Sequence, residues 1–384
     1  MNSHRLSTVL LFLVTALTLT LGLQLSEAQS TQSGLPKRIV ADYTAGSKYL
    51  DPPYDVPQIP FKKLTHIIHA GVPWNSDGSL SVPDGFVEPQ LIERAHENGV
   101  KVMLLTGGDF AAIENSEQVF DTVLANLQTF VISNDYDGID IDWEFPSDST
   151  DRAFFVTLMS RLRDTFPTPR YTLSADLAPW NIIYYDLHQL KFHADFFNLM
   201  VYDCAGPWTS VGQLNSPIFW DTKDPRPNEC QPGGSDQQAA EMYLKHVPAA
   251  QLNMGTPFYG YDYTNISHIF EPCPNDSHTH DGDCDNTVAT LNYGPNIKQL
   301  INKKGWRRYY DPVALVPYLV RTDGDDGFIT YDDAFSTYSR VYYADWVLGL
   351  GGTFMWSLDA DYDGHSQDLL DAMYQATTKS QQGH

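Results

Sequence analysis

Eight short runs that read as buried strands, separated by stretches of helical periodicity, leave this chain few folds to choose from. They are Arg38–Tyr43, Thr65–Ala70, Lys101–Thr106, Gly138–Trp143, Tyr171–Leu177, Phe196–Tyr202, Leu252–Tyr259 and Gly352–Leu358. Several are continuously apolar, as parallel strands covered on both faces must be. The clearest helical pattern is Ser116–Ser133, where Val119, Phe120, Val123, Leu124, Leu127, Phe130 and Val131 recur at spacings of three and four behind a capping Asn115-Ser116. Further patterns lie at Pro89–Asn98, Asp151–Thr165, Asp236–Val247, Asp332–Leu348 and Ser366–Thr377. Such alternation predicts an α/β protein whose strands close into a parallel (β/α)8 barrel, not an open doubly wound sheet.

The fourth run departs from the apolar rule. In Asp137-Gly138-Ile139-Asp140-Ile141-Asp142-Trp143-Glu144 three acids stand at alternate positions. A strand has a side-chain period of two, so Asp140, Asp142 and Glu144 share one face at intervals of ~6.7 Å while Ile139, Ile141 and Trp143 share the other. A merely solvated acidic face is a poor explanation, because adjacent like charges repel and Phe145-Pro146 stops the strand just beyond them. Crowding and partial burial instead push carboxyl pKa values apart, which leaves one group protonated near neutral pH as a general acid.

This run resembles the D-G-x-D-x-D-x-E signature of glycoside hydrolase family 18, the chitinases and their relatives, at all eight positions. The resemblance implies a TIM barrel with the signature at the end of its fourth strand. It makes Glu144 the proton donor, Asp142 the residue that orients the substrate's acetamido group, and Asp140 its inner partner. Met200-Val201-Tyr202-Asp203 is similar to the family's M-x-Y-D, which gives Tyr202 a hydrogen bond to the acetyl carbonyl and makes Met200 and Asp203 substrate contacts. Gly255-Thr256-Pro257-Phe258-Tyr259-Gly260-Tyr261 resembles G-x-P-x-Y-G-R, with Tyr259 in register and Tyr261 where arginine is usual. Met355-Trp356-Ser357-Leu358-Asp359 resembles the last strand, whose Trp356 floors the reacting sugar; Trp180 and Trp208 are candidates for neighbouring subsites. Leu104-Leu105-Thr106-Gly107-Gly108 is similar to S-x-G-G, but Leu105 takes the serine position, whose hydroxyl normally supports the innermost aspartate.

The implied activity is hydrolysis of β-1,4 bonds in chitin or N-acetylglucosamine oligosaccharides, with retention and no cofactor. Two rivals remain: an endo-β-N-acetylglucosaminidase acting on N-glycans, and a chitin-binding lectin on an inactive barrel. Lectin relatives typically lose the residue equivalent to Glu144, which is present here.

The rest of the chain fits a secreted protein. Apolar Val9–Leu23 behind Arg5, followed by Ser26-Glu27-Ala28, reads as a signal peptide spanning residues 1–28. The catalytic domain is expected over 29–376, with a short insertion at roughly 262–327 between strands seven and eight that carries a helix in Asn296–Lys303. Residues 377–384 read as a disordered tail. The net charge of −24, without a basic tract, argues against nucleic acid or an anionic membrane as partner, and a monomer is expected. Cys204, Cys230, Cys273 and Cys284 form an even set, for which disulfides Cys204–Cys230 and Cys273–Cys284 are favoured. Asn265-Ile266-Ser267 and Asn275-Asp276-Ser277 are glycosylation sequons in the same region. No metal is expected. Asp359–Gly364 starts like a calcium loop but Leu370 fills the twelfth position, and His278, His280, Asp281 and Asp283 beside Cys284 match no standard zinc spacing.

Overall fold

The computed structural model describes residues 36–225, 230, 232–273, 284 and 288–382. The signal segment, the sequon at Asn275 and the cluster from His278 to Asp283 lie outside the described residues. Among the described residues eight parallel strands close into a barrel: β1 Arg38–Thr44, β2 His66–Ala70, β3 Lys101–Thr106, β4 Gly138–Asp142, β5 Thr172–Leu177, β6 Phe196–Leu199, β7 Leu252–Pro257 and, last in sequence, β13 Gly352–Trp356. Every expected run supplies one strand, and β13 closes the ring between β7 and β1.

The two faces of each strand go to different cores. Ile39, Ala41, Ile67, Val102, Leu104, Ile139, Ile141, Leu173 and Ala175 pack outward under the helices. Val40, Ile68, Met103, Phe196 and Phe354 fill the barrel interior. Helices α1 Pro89–Glu97, α2 Phe110–Asn115, α3 Glu117–Ser133, α4 Ser149–Thr165, α5 Asp236–Tyr243, α6 Ala334–Tyr342 and α7 Asp368–Gln382 follow the strands. Their starts are set by side-chain caps: Ser116 accepts from the Val119 amide, Asp148 from those of Thr150 and Asp151, and Ser235 from that of Gln238. Gly138 is required where β4 meets β5, since a Cβ there would lie 1.9 Å from the Thr172 carbonyl oxygen.

Four boundaries differ from the sequence expectation. Strand β6 stops at Leu199, where Val201 N–H turns back to the Leu199 carbonyl, so Met200 and Tyr202 sit beyond the strand end. The insertion begins directly after β7 and is a sheet: β8 Tyr259–Tyr263, β9 Val288–Asn292, β10 Trp306–Tyr310, β11 Pro317–Arg321 and β12 Phe328–Thr330 pair antiparallel in the order β10-β11-β12-β8-β9. No α-helix forms over 296–303. Pro295 lacks an N–H, the chain makes one wide turn at Tyr293–Ile297, and Asn302 and Lys304 leave the helical region with φ of 55° and 52°. The polar segment from Thr377 continues α7. That helix is capped by the Asp361 carboxylate, which accepts from Leu369 and Leu370 N–H, and anchored by buried Leu369, Leu370, Met373 and Ala376 against α6. Both favoured disulfides, Cys204–Cys230 and Cys273–Cys284, are present.

Candidate active site

The acidic face of β4 points into the barrel and climbs from buried to open. Asp140 is wholly buried, Asp142 is partly covered, and Glu144 is exposed two residues beyond the strand end. The opposite face behaves as its apolar side chains require: Trp143 lies flat on Phe110, rings 4.2 Å apart, with Phe154 and Phe155 at its edges.

Asp140 stands in register with Leu105 on one side and Ser174 on the other. The hydroxyl that Leu105 cannot provide comes from Ser174, whose Oγ donates to Asp140 Oδ1, while Oδ2 is buried without a partner among the described residues. Burial raises the Asp140 carboxyl to about 6 against the pull of hydrogen bonds from Ser174 and Asp176. Asp142 is pushed up to about 8, first by burial and then by the charges of Glu144 and Asp140, and its buried Oδ1 has no partner among the described residues. Glu144 is also raised, by partial burial and then by Asp203.

Two further acids, Asp42 on β1 and Asp176 on β5, belong to the same buried group and were not singled out from the sequence. Asp42 is fully enclosed, and neither carboxylate oxygen finds a partner among the described residues. Burial, with Asp140 and Asp142 as the next causes, raises both well above the usual carboxylate range. Asp176 ends a chain of side-chain hydrogen bonds across the barrel: Arg38 Nε to Asn253 (2.9 Å), Asn253 to Asn198 (2.8 Å), Asn198 to Asp176 (2.9 Å). A lone acid inside each apolar run, Arg38–Tyr43 and Tyr171–Leu177, was the available signal.

On the β6–β7 side, Tyr202 is buried against Phe354 and edge-on to Tyr259. Gly255 makes room for it, since a Cβ there would lie 3.1 Å from the Tyr202 ring. Asp203 adopts φ of 63°, held by its N–H to Asn215 Oδ1 at 2.9 Å. Its Oδ1 accepts from both Tyr259 and Tyr261, the latter at 2.7 Å, so the residue that replaces arginine becomes a second phenol on this carboxylate. Trp208 donates Nε1–H to the Asp203 carbonyl (3.2 Å) and meets Tyr261 edge-on, with half its surface exposed. Trp356 is 37% exposed at the end of β13. Met200 is packed in the interior cluster, not presented to solvent, and Trp180 meets Phe145 edge-on at 5.9 Å.

A cleft of about 560 Å³ runs beside Glu144, lined by Gly108–Ala111, Asp142–Phe145, Ser147 and Asp151. Tyr202, Tyr259, Trp180, Trp208 and Trp356 are not among its lining residues. Gly107 and Gly108 do more than turn the chain, because a Cβ on either would strike the Asp142 or the Trp74 carbonyl oxygen, at 2.5 and 2.3 Å. Among the described residues no group of three His, Cys, Asp or Glu could hold a metal ion. The arrangement can deliver a proton from a raised carboxyl, beside a second carboxyl whose buried Oδ1 lacks a hydrogen-bond donor among the described residues.

Comparison with known proteins gives the family and the fold. The profile of Glycosyl hydrolases family 18 matches residues 38–361. A probable endochitinase of Caenorhabditis elegans is 32% identical over 77% of this chain, and the chain spans about half (51%) of that protein's length. The Group IV chitinase of Ostrinia furnacalis, solved with allosamidin, superposes with a TM-score of 0.78 at 22% identity, covering 90% of this chain and 99% of that one. Human YKL-39, described as a pseudo-chitinase with retained chitooligosaccharide binding, superposes at 0.77 with 20% identity over 88% of this chain and 99% of its own. These last two likenesses concern the fold.

Proposed function

Because the chain belongs to glycosyl hydrolases family 18, we propose that it is a secreted chitinase that hydrolyses β-1,4 bonds between N-acetylglucosamine units, with retention and with the substrate as its own nucleophile. The observation that carries this reading is the graded ladder Asp140–Asp142–Glu144, buried at one end and open at the other. An ordinary retaining glycosidase needs a second carboxylate across the sugar from its acid. Asp142 lies on the same strand face as Glu144 and cannot reach around the ring. Asp203, whose charge acts on Glu144, is already tied by two phenols.

The nucleophile is then the 2-acetamido carbonyl oxygen, as in substrate-assisted members of this family. Glu144 gives its proton to the glycosidic oxygen as the carbonyl oxygen bonds to the anomeric carbon, forming an oxazolinium ion and releasing the leaving sugar. Asp142 takes the acetamido N–H on its unpartnered Oδ1; that donor and the developing positive charge both favour its ionised form. Tyr202 holds the carbonyl oxygen. Water next attacks the anomeric carbon, Glu144 takes up its proton, and the acetamide is restored after two inversions. Glu144 in place, with its carboxyl raised, argues for turnover over binding alone.

The test is hydrolysis of N-acetylglucosamine oligomers followed by proton NMR. The β anomer should appear first, a thiazoline analogue of the oxazolinium should inhibit competitively, and fully deacetylated chitosan should resist cleavage. Inverted product, or chitosan cut as fast as chitin, rules the mechanism out. Preferential release of high-mannose glycans would favour the endo-β-N-acetylglucosaminidase instead.

A further inference from the structure

Helix α6 buries one face, with Ser336, Thr337, Arg340 and Val341, and runs on through a wide turn at Tyr343–Val347. The opposite face of such a helix is ordinarily polar. Here it is aromatic. Phe335, Tyr338, Tyr342 and Trp346 recur at spacings of three and four, which lines them up in one row along the outer wall of the barrel. Phe335 is 61% exposed and Tyr342 48%. The rings of Tyr338 and Tyr342 lie 12° from parallel with centroids 6.5 Å apart, and those of Tyr342 and Trp346 lie 29° from parallel at 6.2 Å. Neighbours hold the row in place: Phe335 meets Tyr310 of β10 edge-on at 5.6 Å, and Lys379 Nζ of α7 lies 5.4 Å from the Tyr338 ring. Beside the row, between the starts of α6 and α7, is a cavity of about 410 Å³ whose lining includes Phe335, Tyr338, Asp368, Asp371 and Gln375. None of these residues lines the cleft beside Glu144. Apolar side chains exposed singly need no explanation, but a contiguous row that borders a cavity of ligand size marks a binding surface.

The charges around the cavity decide what fits it. Asp368 is paired with Lys298 at 2.6 Å, Asp371 is paired with Lys63, and Lys379 stands over Tyr338. In a chain of net charge −24 this stretch is locally balanced, so a cation gains little here, and a second copy of the same acidic chain is repelled. A neutral ligand with flat apolar faces and polar edges matches what is left: its faces lie on the aromatic rings, and its hydroxyl and amide groups meet Gln375 and the carboxylate lone pairs. Pyranose rings have that form. From Phe335 to Trp346 the row spans roughly 16 Å at the helical rise of ~1.5 Å per residue, longer than one sugar. We propose that the wall formed by α6 and the start of α7 is a second carbohydrate site, which holds a neutral N-acetylglucosamine polymer outside the cleft. The choice of N-acetylglucosamine rests on the chitinase reading above; the choice of a neutral glycan rests on the wall itself. No bond is made or broken there. The site keeps the enzyme on an insoluble substrate while segments of that substrate enter the cleft.

The test compares adsorption to insoluble chitin particles with cleavage of a soluble N-acetylglucosamine hexamer, in the full chain and in Phe335→Ala, Tyr342→Ala and the double variant. Both side chains are exposed, so thermal midpoints should stay near the parent value. Each single variant should weaken adsorption by about two- to tenfold, as the loss of one aromatic stacking contact implies. Release of soluble sugar from the particles should fall with it, while kcat/KM on the hexamer is unchanged. Tyr342→Trp keeps a flat ring and should adsorb like the parent. Unchanged adsorption in the double variant overturns the proposal. So does a loss of hexamer cleavage as large as the loss of adsorption, which would place the effect in the cleft. Equal adsorption of the parent to cellulose and to chitin overturns the assignment to N-acetylglucosamine. A dimer in sedimentation that the double variant loses, with adsorption intact, would give the face to self-association instead. A parent that cleaves the hexamer but does not adsorb sinks this inference alone. A parent that adsorbs through these residues but cleaves nothing sinks the catalytic reading and leaves the wall site standing.

Discussion

Two clusters of buried carboxylates in this molecule are treated in opposite ways. Where α5, α6 and the end of β12 meet, Arg340 is wholly enclosed and donates from Nη1 to both oxygens of Asp236 at 2.6 Å. Its Nη2 bonds to Asp332 at 3.0 Å and to the Ser216 carbonyl at 2.7 Å. Burial raises Asp236, and Arg340 opposes it. Inside the barrel, Asp42, Asp140, Asp142 and Asp176 crowd together, and among the described residues no cation stands against them and Asp42 has no hydrogen-bond partner at all. Burial is common to both clusters; compensation is not. Uncompensated buried acids mark the place where a ligand or a reaction has to supply what the protein withholds.

The largest difference should be in turnover. Glu144→Gln at the open end of the barrel cluster should cut kcat by a factor on the order of 10² to 10⁴, the usual worth of general acid help, with thermal midpoint and oligomer binding retained. Turnover at the parent rate would assign the acid elsewhere.

Next comes stability at the compensated cluster. Arg340→Met leaves two enclosed carboxylates without their counter-charge, and should cost about 3–5 kcal/mol in a urea titration of unfolding. A change below about 1 kcal/mol would mean that the cluster tolerates charge loss as the barrel does. The contrast between the two regions would then collapse.

The sequence exposed these two clusters unequally. Strands of a parallel barrel are covered on both faces, so they stand out as apolar runs, and acids inside such a run stand out against them. Three at period two in and just beyond β4 were unmistakable, whereas single Asp42 and Asp176 looked like ordinary breaks in hydrophobicity. Ser174 was missed as the support for Asp140 because the motif draws attention to Leu105, the cross-strand neighbour on the other side. Arg340 and Asp236 are 104 residues apart, and nothing local pairs them. The insertion sheet was hidden for a similar reason: its first strand, Tyr259–Tyr263, follows β7 almost without interruption and begins inside the run read as Leu252–Tyr259, while its partners β9 and β12 are set by tertiary register. The helical tail was misread because polarity on its exposed side outweighed the cap from Asp361.

A smaller effect concerns pH. The folded-state pKa of Asp142, about 8, lies above its ordinary value of 3.8, so between these limits the unfolded chain has lost a proton that the folded protein retains. Stability from this group is therefore full below the lower limit and declines as pH rises, by on the order of 1 kcal/mol per pH unit, until the folded group also ionises. Asp142→Asn removes that titration. The variant should be inactive yet lose less stability than the parent between mildly acidic and neutral pH, as read from paired urea titrations. Identical pH slopes would show that Asp142 is not held protonated.

The smallest effect is expected at Leu105, where this chain departs from the family's motif on the third strand. Leu105 packs in the interior cluster in register with Asp140, so Leu105→Ser would bring a hydroxyl to the strand position beside Asp140, whose Oδ2 lacks a partner among the described residues. If the motif's serine were essential to the ladder, restoring it should raise activity many-fold. The structure argues otherwise, because Ser174 already donates to the other oxygen of Asp140 and orients the carboxyl. A second donor would favour ionised Asp140 and lower its pKa from about 6. A more anionic Asp140 would in turn hold Asp142 protonated more strongly by like-charge repulsion. The apolar side chain also packs in the interior cluster, and a Cβ on Gly71 would lie 2.8 Å from its Cδ2, so truncation opens space at a close contact. The outcome should be a change of less than about threefold in kcat and a stability loss of about 1–3 kcal/mol from lost packing. Ser174→Ala should do more than Leu105→Ser in kcat, since it strips Asp140 of its hydroxyl donor. A rise of tenfold or more in Leu105→Ser, or an inert Ser174→Ala, would return the support of the ladder to β3.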